Sequence, residues 1–521
     1  FNVAKNGFNT VFKRLITYDN SESKRINFSN KDNEFNLDIS VFDKLEGYPF
    51  AYWMPEKIAK IIYHGKSLKK YGEPRPGLQT SNNDRFLRIW SEVSYNKIGL
   101  SLERAHALKS SFKWFQHNKG GKNPRKWFGN DNLVINFEND GLELKNWLEN
   151  NPNDPTTKHW SRNLRNYPYY FKEGITWSAM SSNQITARLN GVGFTFDTSG
   201  PTLFVSKNLH YFCGLLNSKV FDYFVGFFSQ TLSKGTGDFS RVPVVINDLE
   251  AIEKNVIEVH TTAKLDWQSK ETSLNFSKSA LLKHAVDEDV ETTFDSYKQF
   301  WKKKFFQTHQ FEEQLNRHFI DIYDLVELVS PIVPFNEITL LQDETDKNAI
   351  VGINKRIRRD PNTYMVSNYD EISIPFISFE VFAQFISYSV GSMFGRFSLD
   401  KEGLILSNQW ENLKDFFQKI EKSESECIFL PDADNIIPIL DNEWFEDDIV
   451  TKFNHFLKVT FGEKNFNKNL AFIEEQLGKD IRRYFIKDFY PDHIKRYKKR
   501  PIYWMFSSPK GSFNVLIYMH R

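Results

Sequence analysis

Cysteine is almost missing from these 521 residues. Only Cys213 and Cys427 occur, too few and too far apart for a disulfide framework or a cysteine-based zinc site. No apolar run approaches the ~18 residues of a membrane-spanning helix, and no basic, apolar, small-residue order marks a signal peptide. There is no Gly-x-x-x-x-Gly-Lys-Ser/Thr phosphate loop, no His-Glu-x-x-His, no nucleophile elbow and no Pro-Pro dipeptide. Charge of one sign is also scarce as an excess: 68 Lys+Arg against 66 Asp+Glu leave +2, which excludes a uniformly basic coat and makes local patterning the informative quantity. The expectation is a soluble, cytoplasmic protein. The chain opens on Phe1 and stops inside the strand-like run "LIYMHR", which reads as a fragment of something longer.

The chain is long enough for two or three cores, since single cores stop growing near ~250–300 residues. Residues 1–45 carry the polar stretch "DNSESKRINFSNKDNE" and read as an irregular lead-in. From 46 to 248, Gly/Pro/Asn punctuation separates short aromatic and β-branched runs ("LVINF", "GFTFD", "TLFVS", "RVPVVI"), a β-rich pattern with one helix expected at "LHYFCGLLNSKVFDYFVGFF". Residues 249–330 have apolar residues at spacings of three and four and read as a long helical spacer. Residues 331–521 are mixed and mainly helical, with helices at "SFEVFAQFISYSVGSMFGRF", "WFEDDIVTKFNHFLKVTFG" and "FNKNLAFIEEQLGKDIRRYFIKDFY". The predicted class is therefore α+β and multidomain.

"NGVGF" and "KGTGDF" contain paired glycines without the strand before and helix after that a dinucleotide site needs, so turn glycines are expected. The carboxylates between Glu421 and Asp448 lack a regular ligand pattern and read as a solvated face. Charge patterning says more. Between Arg104 and Asn130 there are seven basic residues and no acidic one, interleaved with Phe112, Trp114, Phe115, Trp127 and Phe128. Cations on an aromatic frame suit phosphate backbones. Lys113, Lys119, Lys122, Arg125, Lys126 and, farther on, Arg241 are the candidate phosphate contacts; a solvated basic face is the alternative. "KRIRRD" (355–360) and the stretch from Lys479 to Arg500, with nine basic and three acidic residues, are further basic clusters.

Six separated blocks carry a family resemblance in one order: "GLQTSNNDRFLRIWSEV" (77–93), "KWFQHNKGGKNPRKWFGN" (113–130), "YYFKEGITWSAMSSNQITARL" (169–189), "LDWQSKETSLNF" (265–276), "SYSVGSMFGRFSLDKEGL" (387–404) and "DHIKRYKKRPIYWMFSS" (492–508). They resemble the C-terminal portion of the PglX family, the adenine-specific DNA methyltransferases of the bacteriophage exclusion (BREX) defence systems. The resemblance runs from about residue 45 to the end. It implies a Rossmann-like catalytic domain with an S-adenosylmethionine site and an Asn-Pro-Pro-Tyr type motif N-terminal to the matched region. With no Pro-Pro dipeptide here, that motif has no counterpart, and the expectation is that this chain lacks the catalytic domain and binds no cofactor itself. "KGTGDFSRVPV" (234–244) departs from the family's Asn-Pro-Thr-x-x-x-Gln-like stretch.

What the resemblance then implies for residues 46–248 is a target-recognition domain. Such a domain reads base edges with short polar side chains and Arg. In residues 175–204, Ser181, Ser182, Asn183, Gln184, Thr186 and Arg188 are the candidate readers, and Phe194 and Phe196 the frame beneath them; a surface turn with Arg188 paired to a carboxylate is the alternative. The implied partners are double-stranded DNA, other BREX proteins and phage inhibitors that mimic DNA. Two rival functions stand beside this one: the specificity half of a type IIG restriction-modification enzyme, and a non-catalytic DNA-binding or adaptor subunit.

Overall fold

The computed structural model of the chain describes residues 9–38, 51–121, 125–180, 184–229, 233–509 and 513–518. It is a mixed α and β structure with several small sheets. In the β-rich part, a four-stranded antiparallel sheet runs in the order Ala187–Asn190, Gly174–Trp177, Thr202–Val205, Gly72–Arg75. Beside it lies a mixed sheet ordered Thr195–Phe196, Trp114–Asn118, Leu133–Asn136, Leu87–Ile89, with Ile98–Gly99 added parallel to Trp114–Asn118. The apolar and aromatic runs of the sequence thus supply the strands, because alternating bulky side chains pack well on a pleated surface.

Asn118, at the end of its strand, ties the two sheets together. Its buried amide donates to the Thr176 hydroxyl of one sheet and, at 3.1 Å, to the Gly200 carbonyl beside it. Phe194 and Phe196 are both buried, Phe196 in edge-to-face contact with Tyr170, as a packing frame requires.

The expected single helix at 209–228 is two helices, Leu209–Asn217 and Lys219–Phe228. Ser218 breaks it: its backbone is extended (φ −78°, ψ 150°) and its hydroxyl accepts from Phe221 N–H at 3.1 Å, an N-cap that a run of apolar residues conceals. Residues 249–330 form two long helices, Leu249–Gln268 and the 33-residue Val290–Ile322, packed together. Beyond them come the helices Ser378–Met393, Ile449–Phe461 and Phe466–Leu477 and a three-stranded sheet ordered Ile436–Leu440, Phe513–Tyr518, Tyr503–Ser507.

The largest apolar cluster runs from Ala51 to Tyr518, so the helices at 209–228, the long helices and the C-terminal helices share one continuous core. Two smaller clusters lie in the β-rich part, around Phe115 and Phe196 and around Trp90 and Val134. Among the described residues no helix is long and apolar enough to cross a membrane, and no group of His, Cys, Asp and Glu is arranged to hold a metal ion.

Candidate nucleic-acid interface

The basic run between Arg104 and Asn130 divides when it folds. Its C-terminal part turns inward. Trp127 (φ 70°), Gly129 (φ 112°) and Asn130 (φ 61°) take left-handed backbone conformations. Gly129 is needed there, since a Cβ would sit 2.9 Å from the Trp267 ring. This turn pushes Arg125 and Lys126 against the long helices. Arg125 donates to Asp266, a fully buried carboxylate; burial pushes the Asp266 carboxyl up, and Arg125 with Lys270 more than reverses this, holding it below the usual range. Lys126, 1% exposed, donates to Glu312 at 2.7 Å, and Trp127 Nε1 donates to the other oxygen of that carboxylate at 2.8 Å.

Arg125 and Lys126 are therefore corrected from phosphate contacts to interior ion pairs that join the β-rich part to the helices. The physical reason is desolvation: a buried charge is tolerated only beside its counter-charge. Arg188 is corrected too, from a base reader to a buried side chain of the sheet. It lies in the strand Ala187–Asn190 opposite Thr176, the Trp127 turn bridges onto its outer edge, and it is 0% exposed, so its guanidinium cannot reach a base edge. One arm donates to Asn118 Oδ1 at 3.3 Å, while Nε and Nη1 have no partner among the described residues. Burial pulls its guanidinium down to about 10, with the Asp131 carboxylate opposing, so it remains a cation at neutral pH. Thr186 is buried as well, its hydroxyl without a described partner. Gln184 is half-buried. Ser181, Ser182, Asn183 and Lys122 lie outside the described residues.

Arg241 does not stand in an open loop. It ends the short helix Thr236–Arg241, pairs with Asp238 at 2.6 Å and lies over the Phe228 ring. Lys113 is half-buried beside Trp114.

Lys119 is the candidate cation that the fold brings to an open polar site. A cleft of about 490 Å³ is lined by residues 78–83, His117, Lys119 and residues 197–199. Three turns meet there. In the first, Thr80 donates its hydroxyl to Asn83 Oδ1 at 2.7 Å, Asn82 Oδ1 caps the helical turn Asn83–Phe86, and Asn163 holds Ser81 Oγ at 3.0 Å. In the second, Asp197 Oδ1 accepts from Ser199 N–H, Ser199 Oγ and Gly200 N–H at 2.7–2.9 Å, which fixes the turn by its side chain. The third is the approach at Gly120, where a Cβ would overlap the Ser199 carbonyl.

Lys119, 30% exposed, lies 3.8 Å from Asp197 Oδ2, a loose pair. Burial raises the Asp197 carboxyl, with the Ser199 hydrogen bonds and Lys119 opposing. The Gln79 side chain is exposed and makes no hydrogen bond among the described residues. His117 forms part of the wall; its Nδ1 meets Thr195 Oγ1 at 2.8 Å, Nε2 has no described partner, and burial drops its imidazole to about 3, so it is neutral. Among the described residues the cleft thus offers the Lys119 cation and short polar groups on braced turns, which is the chemistry of polar-edge and phosphate contact.

Residues 79–83 were absent from the expected readers. The signal was present in the sequence as five consecutive short polar residues, "QTSNN", between Leu78 and Asp84.

No family model matches the chain. It is 34% identical over 540 aligned residues to the adenine-specific methyltransferase BrxX of Escherichia coli O9:H4 (strain HS), which covers 99% of this chain and 40% of that protein. It is 32% identical over 540 aligned residues to the adenine-specific methyltransferase PglX of Lacticaseibacillus casei (strain Zhang), covering 99% of this chain and 41% of that protein. Across nearly its whole length, then, the chain is similar to two proteins named as adenine-specific methyltransferases, and it spans about two-fifths of the length of the curated relatives it matches.

Proposed function

We propose that this chain is the DNA-binding specificity portion of a site-specific N6-adenine DNA methyltransferase that marks host DNA in phage defence, and that the cleft between residues 78–83, Lys119 and residues 197–199 is where it meets the duplex. The observation that carries the reading is Lys119 set beside the exposed Gln79 side chain, on turns whose own polar side chains hold them in place by hydrogen bonds. Rigid turns matter because a base pair is discriminated only by donors and acceptors that do not adapt to the wrong partner. Lys119 neutralises a phosphate and sets register; the amide of Gln79, donor and acceptor at once, suits the adjacent N6 and N7 of an adenine in the major groove.

The whole protein uses S-adenosylmethionine as methyl donor. Among this chain's described residues the two glycine pairs do not fit that group: Gly191 and Gly193 join two strands, and Gly235 precedes a six-residue helix with no strand before it. No step of methyl transfer is therefore assigned to residues of this chain. Its part is to bind and orient DNA.

Gln79→Ala in the whole methyltransferase tests the reading. The expected result is relaxed preference at one position of the methylated site, worth about 1–3 kcal/mol, with the fold intact. Sequencing of methylated bases in cells carrying the variant reads this directly, and an unchanged motif at unchanged occupancy would sink the assignment of the cleft.

A further inference from the structure

A second cleft, of about 610 Å³, lies where the inward turn of the β-rich part meets the end of the helix Leu249–Gln268, residues 342–347, the helix Ser378–Met393 and the helix Tyr490–Arg496. Its volume is that of a small-molecule site. Three polar side-chain atoms of its lining residues are buried and unpartnered among the described residues: the donors Arg125 Nε and Arg496 Nε and the acceptor Asn132 Oδ1. Leaving such groups without partners is costly unless something else supplies them.

The charges around this cleft are unequal in their commitments. Glu380 and Asp492 are held by Lys495 and Arg496, and Asp346 caps the helix that begins at Lys347. Glu271 accepts from the hydroxyls of Ser387 at 2.5 Å and Tyr497 at 2.7 Å. Lys347 and Lys498 line the cleft, are exposed and have no ion-pair partner among the described residues. Lys498 and the following Lys499 sit at φ 52° and 64°, left-handed conformations that non-glycine residues avoid and that cluster at binding sites. The crowded cleft wall also holds the Lys498 amine below the usual lysine range although the residue reaches solvent, with Asp343 opposing.

We propose that this junction cleft is a nucleotide-binding site, taking a nucleoside monophosphate whose phosphate meets Lys347 and Lys498 and whose base and sugar meet Arg125 Nε and Asn132 Oδ1. A single ligand would have to offer acceptors to the buried donors, a donor to the buried acceptor and an anion to the two lysines, and a mononucleotide carries acceptor nitrogens, N–H donors and a dianionic phosphate in one molecule of suitable size. The site is separate from the polar cleft at Lys119, and its failure leaves the DNA-contact reading untouched. Because it joins the β-rich part to the C-terminal helices, occupancy would brace that junction.

The experiment is calorimetric titration of the 521-residue chain with AMP, with inorganic phosphate and with a short DNA duplex, beside the double variant Lys347→Ala/Lys498→Ala. Both lysines are exposed, so the variant keeps the cooperative thermal unfolding of the parent. The expected result is one AMP per chain, bound at least tenfold less tightly by the double variant, with duplex affinity unchanged. Absence of AMP binding by the folded chain overturns the proposal, as does equal affinity in the double variant. Inorganic phosphate bound as tightly as AMP overturns it by reducing the site to an anion site. Displacement of AMP by duplex, together with loss of duplex affinity in the variant, overturns it by assigning the cleft to the DNA backbone.

Discussion

Two neighbouring stretches of one basic run meet opposite fates. Lys119 stays at the rim of an open polar cleft with a single carboxylate 3.8 Å away, whereas Arg125 and Lys126, only a few residues on, are enclosed by Asp266 and Glu312 from the long helices. The first cation is available to a partner; the other two hold the molecule's own halves together. A charge's function here is decided by its distance from the turn Trp127–Asn130, which carries the chain from the sheet edge onto Trp267. The comparison teaches that a basic run in the sequence is not one surface but a budget divided by topology.

The largest effect belongs to the enclosed side. Lys126→Ala leaves Glu312 buried with only the Trp127 indole to donate to it, and should cost about 3–5 kcal/mol, the range for breaking a buried pair from one side. Urea unfolding of the purified chain measures it. A cost below about 1 kcal/mol, the scale of an exposed pair, would break the comparison by placing Lys126 at the surface.

Arg188 sharpens it next. If this side chain fills space rather than contacts DNA, Arg188→Ala should cost about 2–5 kcal/mol through the cavity it opens, while Arg188→Met, which keeps most of the volume and removes the unpartnered Nε and Nη1, should cost about 1.5 kcal/mol or less. Duplex affinity of the folded Met variant should match the parent. A specific loss of affinity in Arg188→Met at unchanged stability would return the residue to the interface.

Acid separates the interior from the rim in another way. His117 in the cleft wall and His493 in the C-terminal helices are both buried and neutral, each lowered to about 3 from an ordinary 6.5. His493 Nε2 accepts from the Ile502 and Tyr503 N–H groups, both at 3.1 Å, and protonation would abolish both bonds. Well above pH 6.5 neither state binds a proton and the stability is full. As pH falls from 6.5 toward 3 the unfolded chain takes up protons that the folded chain cannot, so stability declines, by about 2 kcal/mol per histidine at pH 5. Denaturation midpoints at pH 7 and pH 5 test the sum; equal stability at the two would mean that both rings reach solvent.

These contrasts also mark what the sequence could tell. The helices of 249–330 were legible because their aromatic and aliphatic residues, Phe294, Tyr297, Trp301 and Phe305 among them, recur on one face within a single segment. The burial of Phe194 and Phe196 was legible in the same local way. Arg125 and Lys126 were not, because their partners lie 141 and 186 residues farther along the chain, and only the tertiary fold supplies them. Arg188 looked like a reader since a polar run precedes it, yet the strand pairing Arg188↔Thr176 and the bridge from Trp127 close over it. The cleft itself joins turns from residues 78–83, 117–119 and 197–199, a convergence that no spacing rule contains.

The smallest effect on the fold should carry the clearest functional signature. Lys119 pairs loosely with Asp197 and touches no core residue by a charge-bearing bond, so Lys119→Ala should shift stability by no more than about 0.5 kcal/mol. If Lys119 neutralises one phosphate, the same variant should weaken binding to every duplex alike and reduce the slope of log affinity against log salt by about 0.9, because one fewer counterion is released on association. Sequence preference should survive, since a backbone contact carries no base information. The paired measurement is fluorescence anisotropy across a salt series with specific and scrambled duplexes, for parent and variant. A slope unchanged by Lys119→Ala would erase the contrast with Arg125 and Lys126, for then none of the three cations would face DNA. The phosphate-contacting charge would have to be sought in the stretch from Lys479 to Arg500.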